Sequence, residues 1–387
     1  MKRIDMVPRP DWPQKMEELG FSFHSIDGIY WDERACYEFT AAEVETLETA
    51  TSELHEMCIE AAGHVIDNGN FERFAIPPEF IPLIERSWND DEATLFGRFD
   101  FSWDGGGGGN HGGNNAPKML EYNADTPTSL IEASVAQWYW LQDVVLPRKP
   151  NADQFNSLHE KLIERWKEIV AELPDKTVHF TCVGDSEEDI GNLDYLRDVA
   201  MQGGVDAKYV DIGAIGWDAV AKCFADDANN EIKTLFKLYP WEWMVREAFG
   251  RNLIESQMRT IEPAWKMLLS NKAILPVLWE LHPGHPNLLP TFYEPQKFTT
   301  DFVKKPILSR EGANVTITTD KGEIAIPGEY GAEGFIYQAY HPLPVYAGSH
   351  TVIGSWIIGD EPAGMGIRED ESPVTKNTSR FVPHYFV

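Results

Sequence analysis

Cysteine is scarce and scattered: Cys36, Cys58, Cys182 and Cys223 are the four in 387 residues, with no C-x-x-C pair and no closely spaced histidine. That excludes a disulfide scaffold and argues against structural zinc. Positive charge is short as well. Lys plus Arg total 33 against 62 Asp plus Glu, a formal charge of −29. Such a surface repels nucleic-acid backbones and anionic membranes and attracts small cations. No window reaches the roughly 18 apolar residues of a membrane span, and Met1-Lys2-Arg3-Ile4-Asp5-Met6 lacks the apolar run of a secretory leader. The expectation is a soluble protein of a reducing, cytoplasmic compartment. The motifs G-x-x-x-x-G-K-[ST], G-x-S-x-G and H-E-x-x-H are missing too, and the strand end Val183-Gly184-Asp185 lacks G-x-G-x-x-G. No P-loop, hydrolase elbow, zincin helix or dinucleotide fingerprint is therefore available. His282-Pro283-Gly284-His285 reads as a turn, not as a metal pair.

What is present is ample apolar material: 43% hydrophobic residues, including 13 Trp, 20 Phe and 13 Tyr, enough for a large core. Residues 41 to 67 carry a helical period with Thr40 as N-cap, and residues 129 to 145 and 153 to 173 read as two further helices. Strand 176 to 183, a helix to Met201 and strand 207 to 212 make a βαβ unit. Short strands follow at 303–307, 315–319, 323–326, 335–340 and 351–358. The fold class is α+β with an added α/β lobe, in approximate lobes 1–130, 131–260 and 261–387. Gly105 to Asn115 (GGGGGNHGGNN) reads as a flexible loop whose length costs little stability.

On either side of that loop the chain alternates with period two. Arg98, Asp100 and Ser102 share one face, opposite Phe99, Phe101 and Trp103; Glu121 and Asn123 share one face, opposite Leu120 and Tyr122. Paired as a hairpin, Arg98, Asp100, Glu121 and Asn123 converge. Their oxygens are hard ligands suited to Mg²⁺ shared with phosphates, and Arg98 suits a phosphoryl oxygen. From spacing alone, a solvated strand pair with one salt bridge is the commoner outcome. Lys272, Lys305 at a strand edge, and the polar turn Ser309 to Asn314 form a second set that could hold ATP without a P-loop, although single lysines are usually surface residues. Gly366 to Lys376 forms a third, which alone reads as a charged surface hairpin.

Taken in order, Arg98-Phe99-Asp100, Leu120 to Ser129 (LEYNADTPTS), Asn271 to Pro276 (NKAILP), Lys305-Pro306-Ile307 and Arg368 to Ser372 (REDES) resemble the synthetase domain of glutathionylspermidine synthetase/amidase. The likeness runs over nearly the whole chain and looks closest to the synthetase-only, acid–amine ligase members of that family. It implies an ATP-grasp fold and an ATP-dependent ligase that joins a carboxylate to an amine through an acyl phosphate, in the family glutathione and spermidine. Position by position it implies Asp100, Glu121 and Asn123 on two Mg²⁺ ions, with Arg98 on the transferring phosphoryl group. Arg98, Phe99, Asp100, Lys272, Lys305, backbone near Gly312, Gln338 at the adenine hinge and Pro373 to Thr375 would line ATP. Arg368 and Lys376 would close over the acyl phosphate. The partners implied are small molecules. The family's Cys–His amidase domain would have to precede this region, so amidase activity is not expected. The alternative is an ATP-binding sensor that lost ligation, which would have no need to keep Arg98 and Arg368.

Overall fold

The computed structural model of the chain describes residues 1–25, 28–106 and 116–387. The expectation of a flexible Gly105–Asn115 loop lies almost wholly outside the described residues. Its centre is a six-stranded antiparallel sheet in the order Arg380–Val382, Glu361–Asp370, Ser349–Ile358, Phe96–Ser102, Lys118–Asn123, with Val345–Tyr346 beside Ser349–Ile358. Strands from the first and last thirds of the sequence thus interleave in one sheet, so residues 1–130 and 261–387 are not separate packing units. A five-stranded antiparallel sheet, Thr291–Phe292, Phe335–Ala339, Phe302–Pro306, Thr316–Thr319 and Gly322–Ala325, flanks it. Lys305 therefore lies on an interior strand of that sheet, not at an edge, because Phe302–Pro306 is paired on both sides.

The βαβ reading corresponds to a parallel sheet, Arg259–Ile261, Thr234–Lys237, Thr177–Thr181 and Asp206–Tyr209, with helix Glu187–Gln202 crossing between the last two. A fourth sheet joins Lys2–Asp5, Ala35–Phe39 and His384–Phe386, tying the chain's first and last strands together.

The 28-residue helix Ala41–Asn68 starts on a reciprocal cap. Thr40 Oγ1 accepts from the Glu43 amide at 3.3 Å, and the Thr40 amide donates to Glu43 Oε2 at 2.8 Å. Val44, Leu47, Thr51, Leu54, Cys58, Ala62 and Val65 form its buried stripe, which packs on Ser349–Ile358 and on helix Ile274–Leu281. The helical reading of 129–145 holds from Leu130 but contains two wide turns: Gln137 N donates to Glu132 O and Leu146 N to Leu141 O, each five residues apart. The reading of 153–173 shortens to Leu158–Glu172. Asp153 and Asn156 instead bridge Phe386 and Gly364, which spends their backbone groups on strands. All four cysteines are free, three of them buried. Among the described residues no helix is long and apolar enough to cross a membrane.

Candidate functional site

The hairpin that alternation implies is formed: Arg98 faces Asn123 and Asp100 faces Glu121 across Phe96–Ser102 and Lys118–Asn123. One detail departs from strict alternation. The register slips between Asp100 and Phe101, leaving Leu120 as the extra residue of a β-bulge. Leu120 is thereby turned out of the apolar row and lines the same cleft as Glu121. Phe99 goes the other way: it is fully buried and stacks on Tyr122 with centroids 3.9 Å apart, so its ring is core and does not enter the cleft.

Arg98 lies along the face of the central sheet. Its Nε and Nη2 donate to Asp100 Oδ1 and Oδ2 at 2.8 and 3.2 Å, and Nη1 donates to the Thr128 carbonyl at 2.7 Å. Gly354, paired opposite Asp100, leaves the room: a Cβ there would stand 2.9 Å from Arg98 Cδ. Across the cleft Lys272 Nζ sits 3.1 Å from Glu121 Oε2 and donates to Ser309 O at 2.9 Å. The Lys272 amide donates to Ile307 O at 2.9 Å, which ties this turn to the strand bearing Lys305. Lys305 Nζ donates to Leu120 O at 2.9 Å and to Gln338 Oε1 at 2.7 Å. Both lysines are 8% exposed, so the surface reading of single lysines does not apply to them.

Electrostatics follow from this packing. Burial alone would push the Glu121 carboxyl up, but Lys272, Lys305 and Arg98 together bring it down to about 2. Burial pushes the Lys305 ammonium down to about 8, against the opposing pull of Glu121. The cleft encloses about 800 Å³ including its open mouth. Its charged end holds Asp100, Glu121, Lys272 and Lys305; its apolar walls include Leu289, Val303, Ile317, Leu343, Val352 and Val374.

Two turns close it. Gly312 has φ +69°, and a Cβ there would meet Val374 and come within 2.9 Å of Thr375 O, so the turn 309–314 presses directly on 373–375. Pro373 and Thr375 line the cleft beside it. The segment after Gly366 is no surface hairpin: Glu361–Asp370 runs inside the central sheet with Ile367 and Glu369 fully buried. Arg368 Nε donates to Ser379 O at 2.9 Å, and Nη2 to the carbonyls of Lys376 and Asn377 at 2.8 and 2.9 Å. Lys376 is exposed on that turn and meets Arg368 through its backbone.

Asp100, Glu121 and Asn123 offer two carboxylates and a carboxamide, with Asn123 Nδ2 3.5 Å from Asp100 Oδ2. Among the described residues no group of three His, Cys, Asp or Glu could hold a metal by itself. These are hard oxygen donors of the kind that Mg²⁺ takes when phosphate oxygens and water complete its shell.

Sequence reasoning passed over several residues around this cleft. Asp125 and Lys237 form a fully buried ion pair, and Asp125 Oδ2 accepts the Trp241 amide at 2.8 Å. Arg310 donates to Thr126 Oγ1 at 2.7 Å and to Glu242 at 3.1 Å. Glu188, Asp189 and Glu311 crowd one another: burial and then Glu188 push Asp189 up to about 6, and the same causes raise Glu311 against Arg310 and Arg368. The signals for these were the polar run Thr126-Pro127-Thr128-Ser129 behind a charged strand, the turn Ser309 to Asn314, and the acidic opening Glu187-Glu188-Asp189 of a helix. His282 and His285 pair with Glu60 and Glu53 at 3.2 and 3.8 Å.

Against known proteins, a model of the glutathionylspermidine synthase preATP-grasp family matches residues 3–387. A "Putative acid–amine ligase" of Haemophilus influenzae is 42% identical over 403 residues, covering 100% of both chains. Trypanothione synthetase of Crithidia fasciculata is 28% identical, covering 85% of this chain and 53% of its own. The bifunctional glutathionylspermidine synthetase/amidase of Escherichia coli is 26% identical over 96% of this chain and 63% of its own. This chain therefore spans between half and two thirds of those two longer relatives. A solved glutathione synthetase-like effector of Globodera pallida matches 99% of the chain and 100% of its own at TM-score 0.57 and 10% identity, a likeness of fold alone. By the family match across its length and by the Haemophilus relative, this chain belongs to the glutathionylspermidine synthase preATP-grasp family.

Proposed function

We propose that the chain is an ATP- and Mg²⁺-dependent carboxylate–amine ligase of ATP-grasp architecture that works through an acyl phosphate. One observation carries this reading: Asp100, Glu121, Lys272 and Lys305, drawn from four separated stretches, meet at one end of a cleft between two antiparallel sheets, with Arg98 hydrogen-bonded to Asp100 beside them. That cleft has an apolar side for a base and a charged end for phosphates. Asp100, Glu121 and Asn123 would hold Mg²⁺, which supplies charge neutralisation on phosphoryl oxygens. Lys272, Lys305 and the turn at Gly312 hold the nucleotide, with Gln338, buried against Lys305, at the base end. Arg98 and Arg368 then stand where negative charge grows as the phosphoryl group moves to the acid. Such chemistry needs positioned cations and no protein nucleophile.

Glu311, which lines the cleft, and Glu188 and Asp189, which share its electrostatic surroundings, favour a cationic amine, in keeping with a net charge of −29. A glutathione-like peptide and a polyamine are the substrate pair this reading favours. A cysteine-dependent amidase activity is not part of it. Burial pushes Cys36 and Cys182 up to about 12 and raises Cys58 and Cys223 as well, the opposite of an activated thiolate.

The test is ADP release from Mg·ATP across a grid of acids and amines, with mass spectrometry for the dehydrated adduct. Release that requires both partners and yields the adduct is the expected result. Tight Mg·ATP binding without pair-dependent release would favour the sensor reading, and absence of both would end the ATP-grasp assignment.

A further inference from the structure

Behind Arg368 a hydrogen-bonded chain runs into the core. Arg368 Nη1 donates to Ser129 Oγ at 3.3 Å, Ser129 Oγ lies 3.0 Å from Tyr30 Oη, and Tyr30 Oη donates to Glu132 Oε1 at 2.6 Å. Its members are 4%, 5% and 0% exposed from Ser129 inward. The polarity is set by its ends. Arginine only donates and an ionised carboxylate only accepts, so Ser129 donates to Tyr30 and Tyr30 to Glu132. Glu132 Oε2 has no partner among the described residues.

The outer end of this chain is held by both arginines. Thr128 O accepts from Arg98 and Ser129 Oγ from Arg368, so Ser129 stands between the two arginines assigned to the phosphoryl group. Its backbone is left-handed, φ +72°, which a serine adopts only where its surroundings require it. At the inner end the wide turn that closes on the Glu132 carbonyl is a local feature common at functional sites.

We propose that Ser129, Tyr30 and Glu132 form a proton relay that deprotonates the attacking amine, with Glu132 as its buried terminus. The inference rests on the ligase reading. An amine reaches the site as an ammonium, which has no lone pair to attack with. One N–H proton passes to Ser129 Oγ as the serine hydrogen moves to Tyr30 Oη and the tyrosine hydrogen to Glu132. The freed amine attacks the acyl-phosphate carbonyl: the C–N bond forms, the C–O bond to phosphate breaks, and the nitrogen's surplus proton leaves with phosphate as HPO₄²⁻. Glu132, left neutral, returns its proton to solvent when product departs. Charge balances at each stage.

The environment suits the task. Burial pushes Glu132 up to about 7, with the Tyr30 hydrogen bond and Arg368 pulling down and Glu188 pushing up. Those are the groups facing it from the 28–34 segment, the central sheet and helix Glu187–Gln202; helix Leu158–Glu172, packed on the same turn, directs His159 to Tyr195 at 3.2 Å instead. Burial and Glu132 raise Tyr30 well above its usual range, so it passes protons and does not store them.

The experiment compares two nucleophiles, spermidine and hydroxylamine, with glutathione and Mg·ATP. Hydroxylamine is already uncharged at neutral pH and needs no base. Glu132→Gln should lower kcat with spermidine by about a hundredfold or more and abolish the acid limb of its pH profile near 7. Hydroxamate formation and KM for ATP should stay within about threefold, the margin within which no group acting on the rate-limiting proton has been removed. Tyr30→Phe, which keeps the ring under Arg368 (5.3 Å from Cζ to its centroid), should behave alike. Equal losses with both nucleophiles would make the chain a mere support for Arg368, and no loss with either would leave it idle; both overturn the relay. Wild-type protein that makes neither product would instead strike the ligase reading itself.

Discussion

Lys305 allows the nucleotide site to be tested through protons alone. Its ammonium is buried between Leu120 O and Gln338, and burial brings it from 10.5 down to about 8. Between those pH values the unfolded chain holds a proton that the native one has released, so stability rises with pH through that window. Below pH 8 the cost of the buried charge is present in full, about 3 kcal/mol. Nucleotide phosphates would offset it by favouring the charged form. At pH 8 half of the free protein has a neutral Lys305, so binding of Mg·ATP should take up about half a proton. Titration calorimetry in phosphate and Tris buffers, whose ionisation heats differ, reads this directly. Lys305→Met should remove the uptake and weaken ATP binding by about 10- to 100-fold, the worth of one hydrogen bond from a charged donor. Wild-type binding heats that do not depend on the buffer, or an undiminished uptake in Lys305→Met, would refute the placement of Lys305 at the phosphates.

Arg98→Ala should leave ATP binding largely intact while raising the barrier to turnover by about 2.7–4 kcal/mol, as for one oriented donor; unchanged turnover in a steady-state ADP assay would remove Arg98 from the mechanism. Asp100→Asn should shift the Mg²⁺ activation curve to higher concentration, and an unaltered curve would count against this metal set. Asp125→Asn strands the Lys237 ammonium in the core, so denaturant unfolding should show a loss of about 3–5 kcal/mol. The double substitution Asp125→Leu with Lys237→Met should recover much of it, and a single-variant loss below about 1 kcal/mol, the level of an exposed pair, would contradict the burial.

The hairpin around Asp100 and Glu121 was legible because a half-buried strand pair writes its register into alternate residues. Its bulge was not, since alternation cannot say which residue is surplus, and Leu120 changed faces for that reason. The parallel βαβ unit could be read from local pattern, as could the N-cap at Thr40. Partnerships between distant segments could not. Nothing near Lys272 announces Glu121, and Gly366 to Lys376 looks like a surface turn until the strands on both sides of it are known. Buried acids were the least visible: nothing in the helical run holding Glu132, or in the polar run holding Asp125, says that either carboxylate faces the core. Their partners, Tyr30 and Lys237, lie far along the chain.

The central sheet places Phe96–Ser102 beside Ser349–Ile358, and Arg98 and Arg368 on neighbouring parts of one surface. During synthesis the strand carrying Arg98 therefore leaves the ribosome long before the strand that flanks it exists. No partly made chain can assemble the phosphate end of the cleft, even with Lys272 and Lys305 in place. Ring closure between distant segments makes such a sheet slow to form and late. The charged end of the cleft is thus complete only once residues 349–370 are made, and the same topology makes it vulnerable to any cut that removes them.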